Sequence, residues 1–394
     1  IVFKYLKVKT KGQNEGEKLL KPKLRFKEFN DNWTLISLNS LMEFKNGINA
    51  AKNAYGKGIK YISVTDILNN NFITYEKIKG LVNIDNITLK NNSVTYGDVV
   101  FQRSSETIED IGRANVYLDH NKVATFGGFV IRGKKKGDYN PLFINYLLQN
   151  SSSRKAIIVK GAGAQHYNIS QEELEKIELY FPSIQEQEKI ANLLSLLDKK
   201  IELQKQKIEA LKIYKKWLSK KLFSFNSIYE KKLGDLCSIT TGKLDANAMN
   251  KNGKYRFFTC AKEYYYINTY AFDTEALLIS GNGAYVGYIN YYKGKFNAYQ
   301  RTYVLDKFNE DIFYIKYFLD EFLPLRIFSE KKDGNTPYIV LSTLSNMTIK
   351  FPAFNIQKII VNILSELDKK INLSEERLKL LSRLKNFLLQ QMFI

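Results

Sequence analysis

Phe181-Pro182-Ser183-Ile184-Gln185-Glu186-Gln187 opens a stretch, Phe181 to Phe223, that returns without a gap as Phe351 to Phe393, at an offset of 170. Leu197-Asp198-Lys199-Lys200-Ile201 comes back as Leu367-Asp368-Lys369-Lys370-Ile371, and Phe181-Pro182 as Phe351-Pro352. Self-similarity of that length marks an internal duplication. In the first copy Ile190, Leu194, Leu197, Ile201, Gln204, Ile208, Leu211, Lys215, Leu218 and Leu222 fall at alternating steps of four and three. The second copy answers with Ile360, Leu364, Leu367, Ile371, Ser374, Leu378, Leu381, Lys385, Leu388 and Met392. This is the seam of a coiled coil, held for about five heptads. A helix that merely served its own domain's core would need no seam so long. A parallel, in-register pair would oppose Lys215 and Lys385 inside the seam, so the pattern predicts an antiparallel pair. Ser183 and Glu186 predict a capping box at the first helix start, where the second copy has Ala353 and Ile356.

Working outward, the helices occupy residues 182–226 and 352–394, and each follows a domain-sized segment, 24–181 and 227–351. Lys60 to Val64, Ser93 to Phe101, Ala124 to Ile131, Ala276 to Ser280 and Tyr299 to Leu305 are short β-branched and aromatic runs set off by Gly, Asn and Asp. They predict mostly β structure. Helices are expected at Pro141 to Gln149 and Ile312 to Phe322. Leu38, Leu41 and Gly47 match Leu233, Leu236 and Gly242, while Phe143-Ile144-Asn145-Tyr146 resembles Tyr314-Ile315-Lys316-Tyr317. The expected fold class is α+β: two mixed, mostly-β domains, each followed by a long helix, with the helices paired antiparallel about a pseudo-twofold repeat.

The 394 residues carry 60 Lys and Arg against 40 Asp and Glu, a net charge of +20. Such a balance favours an anionic partner, nucleic acid first. Residues 1–23 read as a mobile basic arm, with no apolar region that would make them a secretory signal. Cys237 and Cys260 stand apart from each other and from His120 and His166, which argues against a disulfide framework or a zinc site. No apolar run approaches the roughly 20 residues of a spanning helix, so no membrane association is expected and the cytoplasm is the expected location.

Catalytic signatures are missing or imperfect. Asn140-Pro141-Leu142-Phe143 lacks the second proline of an adenine-methyltransferase N-P-P-F/Y motif, and a helix start explains it: Asn as N-cap, Pro at the first position. Gly281-Asn282-Gly283 is followed by strand residues rather than a helix, which spoils it as a dinucleotide fingerprint. No Walker-type loop occurs, and no proline is followed by aspartate as in the usual nuclease core. A basic, two-domain chain of this kind reads as a binding subunit, not an enzyme.

Leu24-Arg25-Phe26-Lys27-Glu28-Phe29 with Trp33, then Gly163-Ala164-Gln165-His166-Tyr167-Asn168-Ile169-Ser170, Phe181-Pro182, Gln185-Glu186-Gln187, Ile190-Ala191 and Leu197 to Ile201, occur in one order. In that order the chain resembles the specificity (S) subunit of type I restriction-modification systems over nearly its whole length. It departs at Asn355-Ile356-Gln357, where the family has Glu-Gln, and at Asp333-Gly334-Asn335-Thr336-Pro337-Tyr338. The resemblance implies two target-recognition domains, each reading one half of a split sequence in duplex DNA, with the helices setting the unread spacer. It implies two modification subunits that methylate adenine N6, and ATP-hydrolysing restriction subunits, together a phage defence. S-adenosylmethionine, and ATP with Mg, then belong to those partners and this chain holds no cofactor. Forty helical residues span about 60 Å and a DNA turn about 34 Å, so half-sites with centres about one turn apart are expected.

Base reading calls for side chains that reach groove edges, chiefly Arg or Lys to guanine and Asn or Gln to adenine. The loop candidates are Gln102, Arg103, Ser104, Ser105, Arg113 and Gln165 in the first domain, and Lys243, Ser280, Asn282, Gln300, Arg301 and Asn335 in the second. Arg103 and Arg301 lead, each at the end of an apolar run. Lys134, Lys135, Lys136, Lys331 and Lys332 are expected on phosphates. Tyr264-Tyr265-Tyr266 with Tyr285, Tyr288, Tyr291 and Tyr292 are expected to pack on a sheet. Were they to stack on bases instead, a single-strand-binding protein would be the alternative, and a two-headed coiled-coil scaffold for other proteins is a third reading.

Overall fold

A computed structural model describes residues 3–5, 21–163, 166–330 and 338–394. Gln165, Lys331, Lys332, Asn335 and most of the basic arm lie outside the described residues. Two compact units form: Ile1–Lys205 with Arg377–Ile394, and Gln206–Glu376. The long helices are Ile184–Leu222 and Phe354–Gln391. Each gives one part to each unit, so a helix is not a separate segment after its domain. The reason is packing: each domain buries the start of its own helix together with the end of the other. In the first unit Ile190, Leu194, Leu197 and Ile201 join Trp33, Phe143, Phe181, Leu388 and Met392 in one core. In the second, Ile360 and Leu364 share a core with Phe223, Tyr314 and Phe318.

The helix pairing is antiparallel. In the first unit Lys385 Nζ lies 2.6 Å from Asp198 Oδ1. In the second, Lys212 meets Glu375 and Lys215 meets Asp368, the partner's number falling as the first helix's number rises. Seam residues Ile208, Ile360, Leu364, Leu367, Ile371 and Leu388 are buried, and Leu211, Leu218, Leu378 and Leu381 are half-buried. The lysines that argued against a parallel pair each meet an aspartate from the other copy.

The two domains share one strand order. In the first, Met42–Asn46, Val130–Lys135, Val99–Gln102 and Ala114–Val116 form an antiparallel sheet. In the second, Ser238–Thr241, Thr302–Asp306, Phe272–Ser280 and Ile289–Ala298 line up in the same order, and Tyr255–Phe258 and Tyr265–Ile267 extend the sheet to six strands. Tyr255–Phe258 runs parallel to the end of Ile289–Ala298, as Tyr55–Ile62 runs parallel to Thr125–Phe126 in the first domain. What is one long strand in the second domain is therefore two short ones, Ala114–Val116 and Thr125–Phe126, in the first. Each domain is closed below its helix by a two-stranded ribbon, Thr34–Ser37 with Glu178–Phe181 and Tyr229–Lys232 with Thr348–Phe351.

The glycines that matched in sequence sit where only glycine fits. A Cβ on Gly47 would come 2.0 Å from Gly127 O, and one on Gly242 1.9 Å from Ala298 O. The helix Pro141–Gln149 has its expected bounds, with Asn140 Oδ1 accepting from Phe143 N at 3.0 Å. Its counterpart runs further than expected, Ile312–Glu330, through Pro324. Part of the basic arm is paired: Phe3–Tyr5 forms a strand against Leu24–Phe26, and Lys4 Nζ donates to Phe29 O at 2.7 Å.

Candidate nucleic-acid interface

The interface begins with the joints that hold each domain to the helices. At the first helix start both carboxylate oxygens of Glu186, expected to reach back to Ser183, accept from buried Arg25, at 2.7 Å from Nε and 2.6 Å from Nη2. The element common to both copies is instead the glutamine that follows. Gln187 Nε2 donates to Pro182 O, and Gln357 Nε2 to Pro352 O, each at 3.0 Å. Ile356 stands where Glu186 stands, so the departure from Glu-Gln removes the ion pair and keeps the bond that starts the helix.

About three turns further on, each domain's helix is fastened to both long helices by a Tyr–Asp–Lys cluster. Tyr146 Oη donates to Asp198 Oδ2 at 2.8 Å, and Lys385 Nζ lies 5.7 Å above the tyrosine ring. Tyr317 Oη donates to Asp368 Oδ2 at 2.9 Å, and Lys215 Nζ lies 5.4 Å above that ring. Burial, and then the neighbouring aspartate, push both phenols well above their usual range. They stay neutral donors at any physiological pH.

The far ends of the sheets carry the loops that could face a ligand. In the first domain Arg103 N donates to Phe129 O (2.8 Å) and Ile169 N to Arg103 O (3.0 Å); in the second, Gly281 N donates to Arg301 O (2.9 Å) and Ile339 N to Gly281 O (2.8 Å). The two junctions are the same piece of structure. Arg103 therefore corresponds to Gly281, and Phe129 to Arg301. The leading arginines sit at one equivalent junction but on opposite strands of it. A Cβ on Gly281 would stand 2.4 Å from Arg301 O, which leaves that position no room for a side chain in the second domain.

Around the first junction, Ser104 Oγ donates to Asn168 Oδ1 at 2.5 Å and Ser105 pairs with Tyr167. Arg113 leaves the neighbouring strand end with Nε 2.5 Å from Asp110 Oδ1. Behind it Arg154 ties the loop down through Glu109 O and Ile111 O, its guanidinium pushed down to about 10 by burial and then by Arg113. Around the second junction, Gln300 N donates to Leu244 O beside exposed Lys243, and Asn282 bridges Tyr338.

Several candidates are not brought to these surfaces. Gln102 and Ser280, at equivalent positions, are only 5% and 1% exposed and point into the domains, because the last residue of each central strand alternates inward. Lys134, Lys135 and Lys136 stand at the other end of their strand, roughly 17 Å of chain from Phe129; Lys135 Nζ donates to Tyr139 O at 3.0 Å. The tyrosines divide. Tyr291 and Tyr292 pack on Phe313 and Phe258, whereas Tyr264, Tyr265, Tyr266, Tyr285 and Tyr288 are exposed. Cys237 is buried, and burial pushes its thiol up to about 12.

The profile of the type I restriction modification DNA specificity domain matches residues 30–212 and again 227–383. The EcoDI specificity subunit of Escherichia coli is 38% identical over 148 residues, 37% of this chain and 32% of that protein. This chain thus spans about a third of that relative's length. The MjaIX specificity subunit of Methanocaldococcus jannaschii is 23% identical across 91% of this chain and 92% of its own. A crystal structure of an S subunit from M. genitalium superposes with a TM-score of 0.64 at 20% identity, covering 95% of this chain and 99% of that one. The duplicated domain is matched twice, at the places where the fold repeats, and the chain belongs to the type I restriction-modification DNA specificity family.

Proposed function

We propose that this chain is the DNA-reading subunit of a type I restriction-modification complex, acting in the cytoplasm and itself performing no chemistry. One observation carries the reading: a single fold occurs twice, each copy with an arginine-bearing junction at its free sheet end and a Tyr–Asp–Lys joint to an antiparallel helix pair. Each domain reads one half of a bipartite duplex target through Arg103, Ser104, Ser105 and Arg113, or through Lys243, Asn282, Gln300 and Arg301. The helix pair fixes the unread spacer between the halves.

The long helices also support the partner assignment. Leu203 and Leu373, Tyr214 and Leu384, and Trp217 and Phe387 are exposed at matched places in the repeat, at heptad spacing and away from the seam. Apolar stripes of this kind suit a partner's helices, and their duplication suits two copies of one modification subunit. Those subunits bind S-adenosylmethionine and methylate adenine N6 on a base taken out of the stack; restriction subunits use ATP with Mg.

The test is methylation-sensitive sequencing of a methylation-free host expressing the modification subunit with and without this chain. One bipartite motif bearing N6-methyladenine on both strands, present only with this chain, is the expected result. No new methylation from a stable complex would overturn the reading in favour of single-strand binding through the exposed tyrosines. In the same assay Arg103→Ala is expected to relax one position of one half-site, by about 1–3 kcal/mol for a bidentate contact, with the other half unchanged. A motif unchanged in both halves would remove Arg103 as a reader.

The unit boundaries fall at Lys205 and Glu376. Seven residues inserted after each keep the heptad phase and lengthen the pair by about 10 Å. The spacer is expected to widen by about three base pairs with both half-sequences intact. Altered half-sequences at an unchanged spacer would show that the helices are not the ruler.

A further inference from the structure

The strongest feature that this reading leaves unused is Phe129. It is 68% exposed, at the tip of Gly127-Gly128-Phe129 and directly across the backbone pair from Arg103. Exposure alone would mean little, since single apolar residues are common on surfaces. Three further observations set it apart.

The turn is built to hold it still. Gly127 N donates to Ile62 O (3.0 Å), Val130 N closes back on Gly127 O (2.8 Å), and Arg103 Nη1 donates to Gly128 O (3.3 Å). The turn also approaches the domain closely, so that any larger residue would have to displace a neighbouring side chain. A Cβ on Gly127 would lie 2.2 Å from Tyr61 Oη, and one on Gly128 1.9 Å from Asn49 Oδ1. Finally, Phe129 occupies the place that Arg301, the leading reader of the second domain, holds in its own junction. A position occupied by exposed arginine in one copy of a duplicated reader and by exposed phenylalanine in the other is a place where the two copies read different chemistry.

We infer that Phe129 is a specificity-determining residue of the first domain, which reads a thymine by apolar contact with its 5-methyl group beside the base met by Arg103. This rests on the DNA-reading function proposed above. Arginine's usual target is the O6 and N7 edge of guanine in the major groove, and the thymine methyl is the apolar feature of that same groove. Two side chains on one backbone pair then meet neighbouring base pairs.

The experiment uses the full chain in complex with its modification subunit and duplexes in which each thymine of the target is replaced, one at a time, by uracil. A buried methyl is worth about a fourfold change in affinity. One uracil, in the half-site whose sequence Arg103→Ala changes, is expected to weaken wild-type binding by about that factor. Phe129→Ala should bind thymine and uracil duplexes alike, with the other half-site read as before. If Phe129→Ala keeps the wild-type uracil sensitivity, or if no thymine in that half-site matters, the inference fails. Phe129→Leu, which keeps an apolar tip, should retain part of the discrimination and guards against a folding defect in the alanine variant. A complex that binds no bipartite duplex at all would be a failure of the DNA-reading function itself, distinguishable from either result.

Discussion

Glu186→Ala is expected to lower the stability of the first unit by about 3–5 kcal/mol, the usual cost of breaking a buried ion pair by removing one partner. Arg25 and Glu186 are both buried, and the two hydrogen bonds between them satisfy one edge of the guanidinium. Arg25 Nη1 already lacks an acceptor. Without Glu186 the whole cation would sit in the core unanswered. Trp33 lies buried in that core and Trp217 is exposed in the other unit, so the fluorescence of Trp33 in a urea titration follows the first unit. A double Arg25→Met, Glu186→Leu variant, which removes both charges, should recover most of the loss. An unchanged midpoint for Glu186→Ala would mean that water reaches Arg25 and that the pair is not a closed joint.

The second large effect is expected at Asp198. Asp198→Leu removes the acceptor of Tyr146 and the partner of Lys385 together, in side chains only 7% and 16% exposed, and should cost about 2–4 kcal/mol. The equivalent Asp368→Leu should cost less, about 1–2 kcal/mol, because Asp368 and Lys215 are 32% and 25% exposed and their attraction is screened. Exchanging the charges as Asp198→Lys with Lys385→Asp should restore part of the stability lost in either single variant. Thermal melts of these variants beside the wild type check this. Equal losses at Asp198 and Asp368, or no rescue by the exchange, would show that the clusters do not set the helix register through charge.

Both predictions concern residues that the sequence made visible without making their role visible. The repeat presented Asp198, Lys215, Asp368 and Lys385 as matched pairs, and like-charge repulsion was enough to reject a parallel seam. That each lysine meets the other copy's aspartate depends on contacts between residues more than 150 positions apart, and that Tyr146 and Tyr317 close the clusters depends on contacts 52 and 51 positions apart. Glu186 was misread for a related reason. A capping box is a local pattern, and Arg25, 161 residues away, competes for the same carboxylate.

Hydrophobic periodicity determined the long helices, because a heptad pattern states which face is buried whatever covers it. Internal comparison determined the duplication, and composition the basic character and the preference for a polyanion. The strands were located but not their pairing, since short alternating runs do not specify their neighbours. The reader loops were the least legible part. Gln102 and Arg103 are adjacent in sequence, and a strand turns one inward and the next outward, so only the register of the sheet decides which can meet a base. Phe129 carried no polar signal at all. It emerges only when the backbone pairing of residue 103 with 129 is laid over that of 281 with 301, an equivalence that resides in hydrogen bonds between strands and not in the order of residues along the chain.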